Sequence, residues 1–168
     1  MDKKTVKTAY MGLLSALSLG IYALESLIPP ILPIPGIKPG LSNIITLYAL
    51  RKSGKKGAAL ILTVRILLSG LLFGNVLSVL YSFAGGYAAL FIELICDFLL
   101  KRKHLYLTGA FGGLFHNLFQ LIAAFFLMGS AYVFSYMPYL AISGIITGLF
   151  TGLAAHYLLK VRIPSHPL

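Results

Sequence analysis

Arg51-Lys52-Ser53-Gly54-Lys55-Lys56 packs four positive charges into six residues, between long stretches that are almost uncharged. Three other clusters behave alike: Lys3, Lys4 and Lys7; Lys101, Arg102 and Lys103; Lys160 with Arg162. Each stands at the end of an apolar run. Between one cluster and the next the chain is long enough to cross a bilayer twice. Positive residues stay on the cytoplasmic side of a membrane. Four inside clusters separated by three excursions therefore predict six spans with both termini cytoplasmic. The expected fold is all-α: a polytopic six-helix bundle, one transmembrane domain over 1–168, multi-pass in the cell membrane.

Composition agrees. Hydrophobic residues make up 58% of the chain and charged residues 11%, against roughly 25% charged in soluble domains. Mean hydropathy is +0.90. A net charge of +10 would point to nucleic acid in a soluble protein. Here 12 of the 14 Lys and Arg lie in the four clusters, which reads them as topology signals and contacts to membrane lipid headgroups, with no nucleic-acid partner. The two exceptions are Lys38 and Arg65. The single Cys96 excludes an internal disulfide and a Cys-rich metal site. The N-terminal stretch starts like a signal peptide but shows no small-residue cleavage site before five further spans, so it reads as a retained first helix.

The predicted spans are 8–28, 37–50, 57–73, 76–100, 105–128 and 134–159. The first ends at Ile28-Pro29-Pro30-Ile31-Leu32-Pro33-Ile34-Pro35-Gly36, where prolines remove donors and fix φ. This segment reads as a stiff apolar outer loop. The second span is short, since a crossing needs roughly 17–25 residues. Gly74-Asn75 and 129–138 read as outer turns. Tyr132, Tyr136 and Tyr139 read as interface anchors.

Small residues recur every four positions: Gly12, Ala16 and Gly20 in the first span, Gly109 and Gly113 in the fifth, Gly144, Gly148 and Gly152 in the sixth. Such stripes let helix backbones approach closely in lipid. In the fifth and sixth spans they read first as internal packing. Gly12, Ala16 and Gly20 are the better candidates for docking a partner membrane protein.

A charged side chain at mid-bilayer costs at least about 2.5–3.5 kcal/mol. Arg65 lies near the middle of its span, and calls for a carboxylate partner, Glu93 or Glu25, or for an anionic ligand. Glu25 is one turn from the outer end of the first span. Glu93 and Asp97 are an i,i+4 pair nearer the inner end, and Asp97 reads as reaching toward Lys101 and Arg102. His116, Asn117 and Gln120 cluster in the fifth span, with His116 and Gln120 on one face. They read either as interhelical hydrogen bonding or as site residues. Asn43 and Thr46 lie inside the second span, and Lys38 at its outer start breaks the inside-positive pattern. Polar groups thus concentrate in the outer half beneath an ordered apolar loop, as in a lidded pocket open to the outside. Lys38 and Arg65 suit an anionic head. The prolines with Ile31, Leu32 and Ile34 suit an apolar body.

There is no G-x-x-x-x-G-K-[ST] loop, no H-E-x-x-H or cysteine pair for zinc, and no aspartate-rich run to hold magnesium and a diphosphate, since the only aspartates are Asp2 and Asp97. Catalysis by this chain alone is not expected, nor is a metal or a cofactor. Active transport would need energy from a partner.

Specific stretches resemble a known family. Glu25-Ser26-Leu27-Ile28-Pro29 followed by Pro33-Ile34-Pro35-Gly36-Ile37-Lys38-Pro39-Gly40-Leu41-Ser42-Asn43-Ile44 is similar to the signature of the Gx transporter family, also named heptaprenyl diphosphate synthase component I. Further matches are Arg65-Ile66-Leu67-Leu68-Ser69-Gly70, Leu72-Phe73-Gly74-Asn75, Ser82-Phe83-Ala84-Gly85-Gly86 and His116-Asn117-Leu118-Phe119-Gln120. The likeness covers nearly the whole chain. Pro39 departs from the leucine-like residue expected there, a change that would kink the start of the second span.

The family in turn resembles the substrate-binding S components of energy-coupling factor transporters. This implies a six-helix protein that binds a solute outside and pairs with a transmembrane T component and ATPase subunits. It implies that Gly12, Ala16 and Gly20 face the T component. The expected substrate-binding set is Glu25, Lys38, Asn43, Arg65, Asn75, His116, Asn117 and Gln120. The solute would be small, anionic and partly apolar, such as an isoprenoid or quinone precursor or a flavin. The synthase name implies the alternative: a non-catalytic membrane component that works with a prenyltransferase subunit of heptaprenyl diphosphate synthase in making the menaquinone side chain. Its functional surface would be cytoplasmic, around 52–56 and 101–103.

Overall fold

The computed structural model describes residues 2–27, 38, 40–73 and 76–161. The proline-rich loop, Pro39, and the turn holding Gly74 and Asn75 lie outside the described residues. The rest is helical: α1 (Lys3–Ser26), α2 (Asn43–Phe73), α3 (Val76–Leu99), α4 (Leu105–Met128) and α5 (Met137–Lys160), with a 3-10 turn at Ala131–Tyr136 before α5.

Five helices are long and apolar enough to cross a membrane, where the charge pattern predicts six spans. The difference lies in α2, which holds the expected second and third spans in one element interrupted at Gly54. There φ is 73° and ψ −177°, a conformation essentially confined to glycine. The interruption is a reversal. Asn43 and Arg65 each stand eleven residues from Gly54, and Arg65 Nη2 donates to Asn43 Oδ1 at 3.2 Å. In an unbroken helix residues 22 apart would be about 33 Å apart. The two arms therefore run back alongside each other. The first arm starts at Asn43 rather than at residue 37 and is only about 16 Å long at 1.5 Å per residue. Backbone before it, at Gly40 to Ser42, is non-helical, with Gly40 and Ser42 buried and Leu41 half-buried.

The basic stretches at the Gly54 turn and the α3–α4 turn meet at one end. Arg51 Nη1 donates to the Arg102 carbonyl at 2.8 Å. The ends of α1 and α5 that carry basic residues are on the same side. Tyr10 and Met11 of α1, Leu50 and Ala58 of α2, Leu105 of α4 and Leu159 of α5 share one apolar cluster. Tyr81, Leu121, Ala124, Val133 and Leu140 form a second cluster.

Polarity is arranged for lipid. Large apolar side chains such as Leu71, Phe98 and Phe126 point outward, while Ser18, Asn43, Arg65, Glu93, His116 and Gln120 are buried. Water would demand the reverse. This is a multi-pass membrane protein. Helices α4 and α5 pack backbone to backbone along their glycines: a Cβ on Gly109 would sit 2.7 Å from Gly152 Cα, and one on Gly113 2.8 Å from Gly148 Cα. Those two stripes are internal packing. Gly12, Ala16 and Gly20 are exposed, with open space at both glycines. Tyr132 and Tyr139 are exposed at the start of α5 and Tyr136 is half-buried.

Candidate functional site

The non-helical backbone before α2 carries N–H groups with no helical partner, and at membrane depth these need one from the protein. Glu25 supplies it. Its Oε1 accepts from the Gly40 N–H and, at 3.2 Å, from the Leu41 N–H. Ser18 Oγ donates to the Ser42 carbonyl at 3.3 Å. Gly40 has φ +84°, and a Cβ there would lie 2.9 Å from His116 Nε2. Both the conformation and the lack of space require glycine. The approach sets the descending chain directly against the α4 imidazole.

From this point a hydrogen-bonded chain crosses the bundle. Asn43 accepts from Arg65 through Oδ1, which leaves its Nδ2 to donate to His116 Nδ1 at 3.1 Å. A neutral imidazole that accepts at Nδ1 carries its proton on Nε2. His116 Nε2 lies 3.0 Å from the Gln120 side-chain amide. Gln120 presents its Nε2 there, and the network calls for its oxygen in that place, since amide orientation is set by hydrogen bonding. Gly85 on α3 makes room for the pair: a Cβ there would meet Gln120 Cγ at 2.8 Å.

Arg65 is the centre of the site. It is 2% exposed and eleven residues from the Gly54 turn, about 16 Å along the helix, near the middle of a hydrocarbon core of about 30 Å. Its bond to Asn43 engages Nη2, and its Nε is buried with no hydrogen-bond partner. Among the described residues ion pairs form only at Asp97, so neither Glu25 nor Glu93 is within ion-pair distance of Arg65. Glu25 does act on it electrostatically from further off. One oxygen of Glu25, Oε2, is also buried without a partner.

A second cation joins the first. Lys38 Nζ lies 3.9 Å from the centre of the Tyr22 ring, and the Arg65 guanidinium carbon 5.8 Å from it. Tyr22 is buried, and its hydroxyl is 2.8 Å from Ser78 Oγ. Two positive groups on one aromatic ring are each attracted by its face and repel one another.

Of the expected site residues, Glu25, Lys38, Asn43, Arg65, His116 and Gln120 come together. Asn117 turns away: its Nδ2 donates to the Leu140 carbonyl at 2.9 Å, tying α4 to α5. It follows His116 by one position, and neighbouring residues on a helix do not share a face. Asn75 lies outside the described residues. Tyr22, Ser42 and Gly40 belong to the cluster and were not expected there. Tyr22 stands three residues before Glu25 on the same face of α1, and that spacing alone does not set it apart from other aromatic residues in apolar runs. Of the Glu93 and Asp97 pair, only Asp97 forms ion pairs among the described residues, with Oδ1 2.5 Å from Arg51 Nη2 and Oδ2 3.5 Å from Arg102 Nε. The expected reach to Arg102 is present, and the shorter partner is Arg51.

A family model described as heptaprenyl diphosphate synthase component I, the Gx transporter family, matches residues 14–158. The chain belongs to that family. No curated protein matches the chain, and no solved structure matches it. The component I match takes in all of the cluster, from Tyr22 and Glu25 through Arg65 to Gln120, as well as the Arg51–Asp97 pair at the other end.

Proposed function

We propose that this protein is the solute-binding membrane subunit of an importer of the energy-coupling-factor type, and that its cargo is a small anion with an apolar portion. The observation that carries the reading is Arg65: a buried cation at mid-membrane with an unpartnered Nε and no carboxylate in ion-pair range. A buried charge without a counter-ion is costly, and intramembrane ionisable groups of this kind mark substrate paths. Lys38 and Tyr22 add a second cation and an aromatic wall, Asn43 and His116 hold the guanidinium in register, and Glu25 holds the descending backbone.

In this reading the α2 arms cross as separate spans, which gives six crossings with both termini cytoplasmic in the cell membrane, as one transmembrane domain. The exposed stripe of Gly12, Ala16 and Gly20 docks a transmembrane T component, which couples the subunit to ATPases. The chain itself is not an enzyme. A second reading has its own support in the family description and in the basic surface at the Gly54 end. There the chain is a non-catalytic membrane component beside a prenyltransferase subunit of heptaprenyl diphosphate synthase.

Purification from the native membrane in mild detergent, followed by native mass spectrometry, separates the two. The importer reading expects a retained small anion, lost in Arg65→Met, and co-purifying ATPase or T subunits. A soluble prenyltransferase partner with no retained anion would reject it in favour of the second.

A further inference from the structure

At the basic end, away from Arg65, a cavity of about 230 Å³ opens where the Gly54 turn meets the α3–α4 turn. Pockets that enclose whole drug-sized ligands run to roughly 300–1,000 Å³, so this one suits a head group. Lys55 and Arg102 line it together with Asp97, and Leu50, Leu94 and Phe98 form its apolar wall. Asp97 is already engaged by Arg51 and Arg102. Lys55 and Arg102 in the lining outnumber the one carboxylate, and Arg51 beside it also pairs with Asp97, which leaves the mouth positively charged.

The turn itself is strained in the direction of this charge. Lys101 and Arg102 both have positive φ, 49° and 63°, a conformation that disfavours side chains with a Cβ. The Arg102 N–H closes back on the Asp97 carbonyl at 3.1 Å, an arrangement in which helices usually place glycine. Two cations stand there instead, and Arg51 fixes the turn through the Arg102 carbonyl. Beside the cavity, Phe91, Ile95 and Phe98 form an exposed apolar stripe along α3 at helical spacing. It leads from the charged mouth toward the bilayer interior.

We propose that this cavity binds the phosphate head of a membrane amphiphile, with Lys55 and Arg102 on the phosphate and the chain lying along Phe98, Ile95 and Phe91. The shared chemistry is a phosphate or diphosphate ester on a long apolar chain, whether a prenyl diphosphate or a glycerophospholipid. The site is separate from the Arg65 cluster and stands or falls without it.

The test uses the full chain in phosphatidylcholine nanodiscs with radiolabelled farnesyl diphosphate as the probe. Saturable binding is expected, at least tenfold tighter than competition by farnesol or by inorganic diphosphate. Lys55→Gln with Arg102→Gln should weaken it at least tenfold, while Lys160→Gln leaves it unchanged. Leu94→Trp, which fills the cavity without removing charge, should weaken it to a similar extent and guards against a turn merely loosened at Arg102. Adding phosphatidylglycerol to the nanodisc identifies the source. Displacement of the probe assigns the site to bilayer lipid, and persistence assigns it to prenyl diphosphate. Binding that farnesol matches, or that survives both the double substitution and Leu94→Trp, overturns the proposal.

Discussion

Arg51 and Arg65 stand on the same element, fourteen residues apart, and are treated in opposite ways. Arg51 sits at the basic end, 2.5 Å from the Asp97 carboxylate and bonded to the Arg102 carbonyl. Arg65 sits at mid-depth, fully buried, with an amide for a partner and an idle Nε. The first is ion-paired to a carboxylate, although its Nε too is buried without a hydrogen-bond partner. The second is a charge the fold accommodates without neutralising. Arg51 thus helps hold the bundle together, whereas Arg65, on the proposed function, is kept in spite of the bundle's stability for the anion it would bind.

Four substitutions break or sharpen that contrast. The largest expected effect is on Arg65→Met. Retention of the native anion should fall at least about a hundredfold, equivalent to about 2.7 kcal/mol, as read by native mass spectrometry of protein purified in parallel. Next comes Arg51→Met, which leaves the Asp97 side chain, 9% exposed, with only the more distant and largely exposed Arg102. Breaking a fully buried pair costs about 3–5 kcal/mol. With one cation left and solvent nearby, about 2–3 kcal/mol is expected here, seen as a lower midpoint in thermal unfolding.

Smaller still is Asn43→Leu. It removes the oxygen that Arg65 donates to and the donor to His116, and should destabilise by about 1.5–3 kcal/mol while weakening anion retention. A loss of stability with full retention would show that Asn43 does not position the guanidinium. The smallest effect on the fold belongs to Gly12→Leu. It places a side chain in open space, so unfolding should shift by less than about 0.5 kcal/mol while co-purification of any membrane partner drops. Unchanged co-purification would remove the stripe from the docking face.

Much of the fold was legible in the sequence because charge and hydropathy report directly on the membrane. The basic clusters marked the Gly54 turn and the α3–α4 turn, and they do meet at one end. The reversal at Gly54 was signalled by the charges around it. What could not be read was the start of α2. Apolar residues from Ile37 onward look like span, yet the helix begins at Asn43, because Glu25 on another helix takes the Gly40 and Leu41 N–H groups. That is a tertiary effect, invisible to local pattern. The same limit applied within the site. Arg65 and His116 stood out as polar groups in apolar runs. Tyr22 did not, since an aromatic residue in a membrane helix is unremarkable until Lys38 and Arg65 converge on its ring. Asn117 was grouped with His116 by adjacency, where the helical turn sends it to α5 instead.

The most direct measurement is the thermal unfolding midpoint of Arg65→Met against wild type, both stripped of bound solute, with Arg51→Met alongside. Removing a buried charge that Glu25 opposes only from beyond ion-pair distance relieves a penalty of several kcal/mol, which offsets the lost bond to Asn43 and the orphaned amide oxygen, together about 2.5–6 kcal/mol. Arg65→Met is expected to unfold at or above the wild-type midpoint and Arg51→Met about 5–10 °C below it, at roughly 2–4 °C per kcal/mol. If Arg65→Met falls as far as Arg51→Met, Arg65 is a structural residue and the anion site has lost its foundation.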